Sequence, residues 1–349
     1  AGETKASVRL KQDGLQVDLR VVSPDSFGAA LQYFTGSQAH NIKLRGIAKK
    51  QAMKINEYGV FRDEKKLAGT SEQEVYQIIG LDWIPPEMRE DRGEIELAAE
   101  GKLPQLIERK DIQGDLHVHS TYSDGHASIQ DIARKAMELG YKYIGICDHS
   151  KSAQYAQGLS IEKLLEQISE IDQINQNLDH FRVLKGIEVD ILSDGSLDYP
   201  DEILAKLDFV VASIHSGFTK SPTKRMLKAM ENPLVDVIGH PTGRLISQRE
   251  GYEIDLKKMF EKAKITGTAL EINSYPDRLD LSDVNAKTTA EKGIMLVINT
   301  DAHDPEGLAF MKFGIGTARR AWLSKENVLN CMSYEQIINW KKQRISKVG

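Results

Sequence analysis

Cysteine is almost absent: Cys147 and Cys331 are the only two among 349 residues. Two thiols without a CxxC pair exclude a disulfide-stapled scaffold and a thiolate zinc knuckle. Cys147 lies inside the apolar run YIGIC and reads as a small core residue. Long hydrophobic runs are missing as well. No stretch approaches the roughly 20 apolar residues that cross a bilayer, and the first residues show no secretory pattern. The expectation is a protein of the reducing cytoplasm with no membrane partner. Excess positive charge is lacking too. The net charge of −5 does not by itself announce a nucleic-acid partner. The length exceeds one typical core, so two or more domains are expected.

The charge is unevenly spread. Between Asn41 and Lys66 there are eight cations, Lys43, Arg45, Lys49, Lys50, Lys54, Arg62, Lys65 and Lys66, against Glu57, Asp63 and Glu64. Such a patch can neutralise phosphates. Charge alone favours the other reading, a solvated helix face.

The nine histidines are distributed with more order. Setting aside His40 and His180, they fall just past the ends of apolar runs that read as buried strands. His117 and His119 lie in GDLHVHS, with Asp124 following in TYSDG. His149 ends YIGICDHS, Glu188 ends FRVLKGIEVD, His215 ends FVVASIHS and His240 ends VDVIGHP. Asp301 and His303 end IMLVINTDAHD. His126 follows Asp124 but precedes a helix cap, and is read as standing behind the ligands or in solvent. One histidine after a strand is ordinarily a packing or hydrogen-bonding residue. Repetition at equivalent positions is not accidental, because accidents would scatter over helices and loops. Imidazole and carboxylate without thiolate suit zinc, manganese or iron. Ligands at the ends of alternating strands are how a β/α barrel builds an active site. Nine such groups exceed what one ion needs and suit two or three.

The first hundred residues differ from the rest. ASVRLKQDG and LQVDLRVV read as a hairpin turning near Asp13–Gly14. A helix is expected around Phe27–Phe34 and a basic one from about Asn41 to Lys54. Residues 84–113, with Pro85, Pro86 and Pro104, read as an ordered irregular linker, interrupted by an amphipathic piece near Ile95–Ala99. From Gly114 strands and helices alternate. Ser128 with Asp131 makes a capping box for a helix that stops at Gly140. The strands YIGIC, VLKGIEV, FVVASI, VDVIG, ALEIN and IMLVIN alternate with helices at Ile161–Ile171, Met226–Met230, Leu256–Lys264 and Ala286–Lys292. With the opening run GDLHV that is seven units, one short of the usual eight, so the barrel should be distorted.

The motifs HVHSTYSDG, CDHS, GIEVD, SIH, GHPTGR and NTDAH resemble, in order and without a missing ligand, those of the PHP (polymerase and histidinol phosphatase) domain. The resemblance covers about residues 114–349. It implies a metal-dependent phosphoesterase on a distorted seven-stranded β/α barrel. Its trinuclear site would be made by His117, His119, Asp124, His149, Glu188, His215, His240, Asp301 and His303. The N-terminal stretch VDLRVV…FGAALQYFTGSQAHNIKLRG…KINEYG resembles the end of the palm and the thumb of family X DNA polymerases. By that resemblance Asp18 is the third metal-binding carboxylate of the palm and Arg20 its neighbouring arginine. Tyr33, Phe34, Gly36, Asn41 and Arg45 approach the nucleotide and template, and a cis Gly36–Ser37 peptide is implied. The basic patch then becomes a thumb facing DNA. The family's other two palm carboxylates and its glycine–serine motif are not among the seventeen residues before Asp18. Nucleotide and Mg²⁺ binding at the palm, and polymerisation, are therefore expected only of an intact parent chain. The expected organisation is an α/β chain with partial palm 1–35, an α+β thumb 36–88, linker 89–113 and a PHP barrel 114–349.

Phosphodiester hydrolysis needs a nucleophile at neutral pH and charge relief on the phosphoryl oxygens, and paired metals supply both. Glu188 is the candidate bridging carboxylate. By resemblance His117, His119, Glu188 and Asp301 surround one ion, His149, His240 and Asp124 complete others, and His215 lies near a third, with His303 at the same pole. Glu188, Asp301 and His303 are also the candidates for direct work on the phosphodiester. Arg244 reads as a phosphate fork or a surface salt bridge, and Asp148 as a support for an imidazole or a cap. Manganese is expected for activity, and zinc as a second occupant. The leading function is a 3′→5′ exonuclease on DNA that is gapped or has free 3′ ends, with abasic-site or 3′-phosphate processing on the same metals. The alternatives are a small-molecule phosphatase of the histidinol phosphate type and a non-catalytic module bracing a polymerase.

Overall fold

A computed structural model describes residues 4–348 and divides the chain into two compact units, Ala1–Pro104 and Gln105–Gly349. In the first, β1 (Lys5–Arg9) and β2 (Gln16–Arg20) form the expected hairpin, with Lys5 opposite Arg20. Gly14 adopts φ +73° in its turn, a conformation that costs glycine little. Helix α1 (Phe27–Thr35) leads through a cis Gly36–Ser37 peptide into α2 (Gln38–Lys50). The Ser37 hydroxyl accepts the His40 N–H, a standard N-cap. The basic helix is thus shorter than expected. Ala52, at φ +55°, turns the chain into an antiparallel sheet of β3 (Lys54–Asn56), β4 (Gly59–Arg62) and β5 (Lys65–Ala68).

Helices α3 (Glu72–Gln77) and α4 (Glu94–Ala99) complete this unit. Its apolar core includes Leu44, Ala48, Val60, Val75, Tyr76, Ile84, Met88 and Ile95. Residues 89–104 are therefore not linker, and the reason is polar. Arg89 is 1% exposed and forks onto both Glu72 oxygens at 2.6 and 2.9 Å. Glu94 is fully buried and lies 2.7 Å from His40 Nδ1. Two buried ion-pairing side chains need partners in a fixed place, and that requirement pulls this proline-rich stretch into the core.

The second unit is a parallel seven-stranded sheet whose spatial order follows the sequence: β6 (Gly114–Val118), β7 (Tyr143–Ile146), β8 (Arg182–Asp190), β9 (Phe209–Ser213), β10 (Val237–Ile238), β11 (Ala269–Asn273) and β12 (Leu296–Asn299). The ends meet where Val118 bridges Ala302, His119 N–H donates to the Ala302 carbonyl at 2.9 Å and Asp301 N–H to that of His117 at 3.0 Å. Helices α5 (Ile129–Glu138), α6 (Ile161–Gln176), α7 (Asp201–Leu204), α8 (Pro222–Ala229), α9 (Leu256–Thr266), α10 (Asp283–Glu291) and α11 (Met311–Arg320) follow the strands, and α12 (Tyr334–Val348) ends the chain. Ser128 caps α5 by accepting the Asp131 N–H at 3.1 Å, while Asp131 accepts from the Ser128 hydroxyl. Only half of the expected box forms.

The period-two alternation of a strand sorts its side chains into two layers. Val183, Ile187, Val189, Val210, Ala212, Leu270, Ile272 and Ile298 pack outward with the helices. Tyr143, Leu184, Phe209, Val211, Val237, Ala269 and Val297 fill the barrel with Ile337 of α12. Continuing each inward series toward the strand's C-terminal end reaches Glu188 from Leu184, Glu271 from Ala269, and Asn299 and Asp301 from Val297. The interior therefore changes from apolar floor to polar mouth within a few residues.

Candidate metal centre and its cleft

The structure brings all nine candidate ligands to that mouth. Glu188 is at the centre. Its Oε1 lies 3.0 Å from His240 Nε2, 3.2 Å from His215 Nε2 and 3.5 Å from His117 Nε2. Its Oε2 lies 2.9 Å from His149 Nδ1 and 3.8 Å from His119 Nε2. Asp301 Oδ1 is 3.0 Å from His119 Nε2 and 3.8 Å from His117 Nε2. Asp124 Oδ1 is 3.4 Å from His303 Nε2 and 3.7 Å from His149 Nε2. Three sets each bring ligand atoms within 4.8 Å of one another: His119, Asp124, His149 and His303; His117, His119 and Asp301; and His149, Glu188 and His215.

The donor set fits cations. His117 Nε2, His119 Nδ1, His149 Nδ1, Glu188 Oε2 and His240 Nδ1 are buried without a hydrogen-bond partner, which nature rarely tolerates unless something else satisfies them. His149 Nδ1 is close to Glu188 Oε2, yet the pair lacks hydrogen-bond geometry. Burial would raise the Glu188 carboxyl, but His215, His117 and His149 around it hold it well below the usual range. Asp301 is likewise held low against its burial, by His117 and His119. Burial, with His149 and His303 beside it, lowers His119 to about 3. Ionised carboxylates are what cation ligands need, and, against burial, the same carboxylates raise His117, His215 and His303 by charge attraction. Asp301 and His240 also hold left-handed backbone, φ +54° and +26°. Strain of that kind collects at functional sites.

Sequence reasoning missed the groups that aim these ligands. Glu271 accepts from His117 Nδ1 at 2.8 Å and from the His240 backbone N–H at 2.7 Å. Asp190 faces His215 Nδ1 at 2.5 Å. The contacts to His117 and His215 each occupy Nδ1, so the other nitrogen, Nε2, is presented toward Glu188. Asn273 donates to Asp301 Oδ2 at 3.0 Å. The signal was present but faint: one acid, Glu271, on the inward register of ALEIN, and a second acid, Asp190, two residues past Glu188 on that of GIEVD.

Arg244 is not placed as a phosphate fork. Its Nε donates to the Arg278 carbonyl at 2.8 Å and its Nη2 to that of Leu279, so the guanidinium ties a loop. Arg278 stands where Arg244 was expected, its Nε 3.4 Å from Asp301 Oδ2 in the cleft beside the metal centre. Asp148 supports no imidazole. It accepts from Ser120, Ser123 and Gln167 and so braces the loop that carries Asp124. His126 is exposed on the cleft wall. Tyr155, 70% exposed, overhangs His149 and His215 with ring centres 6.1 and 6.4 Å away.

In the first unit the residues expected near nucleotide gather at the α1–α2 turn. Asn41 Nδ2 donates to the Tyr33 carbonyl at 2.8 Å and Arg45 Nε to that of Asn41 at 3.3 Å. Tyr33 packs edge-on against Phe34, and the Arg20 guanidinium lies 4.9 Å over the Phe34 ring. Gly36 has φ +72°. Asp18 is exposed on β2, paired with Lys5 at 3.0 Å. Hydrogen bonds from Ser7, Lys5 and Gln16 lower it to about 2. Among the described residues no ligand set forms around it. Of the basic patch, Lys43 is paired with Asp91 and Glu96 and Lys66 with Asp25.

No described helix is long and apolar enough to cross a membrane. The family "DNA polymerase beta thumb" matches residues 30–90, and "PHP domain" matches residues 115–275. DNA polymerase/3′-5′ exonuclease PolX of Bacillus subtilis (strain 168) is 47% identical over 343 residues, which are 97% of this chain and 60% of that protein. The chain thus spans 60% of that relative's length. A protein named "Probable phosphatase" from Thermoanaerobacter sp. (strain X514) is 32% identical over 254 residues, 67% of this chain and 96% of its own length. Histidinol phosphate phosphatase of Lactococcus lactis, solved with zinc, L-histidinol and phosphate, aligns with a TM-score of 0.41 at 16% identity, over 59% of this chain and 93% of its own. The chain thus joins a segment that matches the DNA polymerase beta thumb to a barrel that matches the PHP domain, and it resembles PolX along nearly all of its own length.

Proposed function

We propose that the barrel hydrolyses phosphodiesters at DNA 3′ ends, as a metal-dependent 3′→5′ exonuclease of the cytoplasm. The observation that carries this is the convergence of nine candidate ligands, Glu188 at their centre, beside a cleft holding Arg278. The thumb in the same chain and the PolX relative indicate DNA as the substrate. Gapped duplexes and free 3′ ends are the forms it would act on. Polymerisation, with Mg²⁺ and nucleotide at Asp18, is assigned only to a full-length relative.

Two or three divalent ions, manganese or zinc, would be held by His117, His119, Asp124, His149, Glu188, His215, His240, Asp301 and His303. When bound, they supply a hydroxide nucleophile and charge relief on the phosphoryl oxygens. The protein's own groups do the rest. Glu188 offers one oxygen to the His117, His215 and His240 side and the other to the His149 and His119 side, the arrangement of a bridging carboxylate. Glu271 and Asp190 hold His117 and His215 by Nδ1. Arg278, a planar fork beside Asp301, is suited to orient the scissile phosphate. His303 and Asp124 line the cleft itself and would hold an ion on the side from which substrate enters.

A 5′-labelled oligonucleotide, single-stranded or gapped, incubated with manganese should shorten from its 3′ end, and His117→Ala should abolish the ladder. Full activity and metal content in His117→Ala would overturn the assignment. A second reading, a small-molecule phosphatase, is favoured by the "Probable phosphatase" relative, which the barrel covers almost entirely. Histidinol phosphate hydrolysis with intact oligonucleotide would establish it instead. A brace without catalysis would have no need to keep all nine ligands.

A further inference from the structure

The cleft beside the metal centre has a volume of about 590 Å³ and a mixed wall. Asp124, Asp277, Arg278, Asp301, His303 and Asp304 give it charge. Tyr275 and Phe310 line it as well, edge-to-face with ring centres 5.3 Å apart. Phe313 extends the group 6.1 Å beyond Phe310. These rings lie outside the buried core, with Tyr275 37% and Phe313 39% exposed, and the hydrolytic chemistry does not use them.

Their attachment links them to the reacting end. Tyr275 is held by its backbone N–H to Asn273 Oδ1 at 3.0 Å, and the same Asn273 holds Asp301. The Tyr275 carbonyl accepts the Arg278 N–H at 2.8 Å, so platform and guanidinium belong to one turn. Phe310 ends the short helix Pro305–Phe310 that begins just after His303, capped where Asp304 Oδ1 accepts the Gly307 N–H at 2.7 Å. Both rings are thus fixed by the segments that carry ligands and phosphate fork.

We propose that Tyr275, with Phe310 set edge-on against it, offers the stacking face for the base of the 3′-terminal nucleotide whose phosphate Arg278 orients. This rests on the exonuclease reading above and adds a subsite to it. An aromatic platform has no hydrogen-bond code, so any of the four bases should be accepted. A base in a duplex is already stacked and paired, whereas an unpaired terminal base is free to enter.

The test uses the full chain with manganese and two oligonucleotides that differ only in the last unit, thymidine or a tetrahydrofuran abasic residue. Stacking predicts that kcat/KM for the base-bearing end exceeds that for the abasic end by on the order of tenfold or more. In the double variant Tyr275→Leu, Phe310→Leu, which keeps apolar bulk but no ring faces, that ratio should fall toward one. Tyr275→Trp should restore it in a Phe310-intact chain. A wild-type ratio near one, or a ratio unchanged in the leucine variant, overturns the platform while leaving the nuclease standing. Digestion of neither substrate overturns the nuclease reading and the platform with it. An oligonucleotide ending in 2-aminopurine, bound in calcium without cleavage, gives a measurement independent of variant folding. Fluorescence quenching on binding is expected, and an unquenched complex overturns the proposal.

Discussion

Glu271 shows how much a single residue away from the substrate can matter. It touches His117 and the His240 backbone from a fully buried position, and burial is outweighed by His117, so its carboxyl stays below the usual range. In Glu271→Gln the amide cannot hold His117 as a charge-assisted acceptor does. Metal content and activity should fall together, by about 10- to 100-fold, measured by elemental analysis and by oligonucleotide digestion. Arg278→Lys should behave differently. A point charge replaces a planar fork, so KM for DNA should rise several-fold while metal content stays at the wild-type level. Arg244→Ala should leave metal content at the wild-type level and raise KM less than a change at Arg278 itself, since that side chain only ties the loop through the Arg278 and Leu279 carbonyls. None of the aiming residues was legible in isolation. Glu271 lies 154 positions from the histidine it orients, and only closure of the barrel brings them together.

At the scale of elements, two helices make specific claims. Helix α11 packs Gly314 against β12 and the end of β11: a Cβ there would clash with Ser274 Oγ and Ile298 Cγ2. Gly314→Ala should therefore destabilise the barrel by about 1–3 kcal/mol, the usual cost of overpacking, read as a lowered Tm. Helix α4 and the segment before it enter the first unit through carboxylates. Burial would raise Glu72, but hydrogen bonds from Arg89 and Trp83 hold it low. Glu94 is buried too and held low by His40 and backbone N–H groups. A carboxylate whose folded pKa is depressed adds stability above its unfolded pKa and loses it as pH falls through the folded one. The first unit should accordingly weaken on acidification below about pH 4.5, and Glu72→Gln or Glu94→Gln should flatten that dependence. Hydrogen exchange over residues 72–98 of the full chain, at pH 7 and pH 4, reads it. The prolines at 85, 86 and 104 suggested a linker because composition reports local stiffness. It does not report that Arg89 and Glu94 find partners far along the chain.

At the scale of the whole molecule, the cluster of imidazoles and carboxylates at the barrel mouth couples metal to stability. Anything that binds only the folded state stabilises it by mass action. Chelation should abolish digestion and lower the melting temperature of the barrel unit, with restoration by manganese. Protection of the first unit in hydrogen exchange should not change, because its core contains none of the nine ligands. Equal loss in both units would refute this division.

What the sequence by itself determined is the set of barrel strands, their order and the candidate ligands at their ends, but not the three short strands at 54–68. Those follow from local rules: apolar runs bury, alternation faces two ways, and a histidine or carboxylate at the end of a run lies at one pole. The cis Gly36–Ser37 peptide and the thumb were legible by resemblance. What only tertiary structure decided is which ring nitrogen each histidine presents, that Arg278 rather than Arg244 enters the cleft, and that residues 89–104 belong to a core. The physical reason is common to all three. Each depends on a partner brought within 4 Å by folding, and the identity of that partner is not encoded in any local window of the chain.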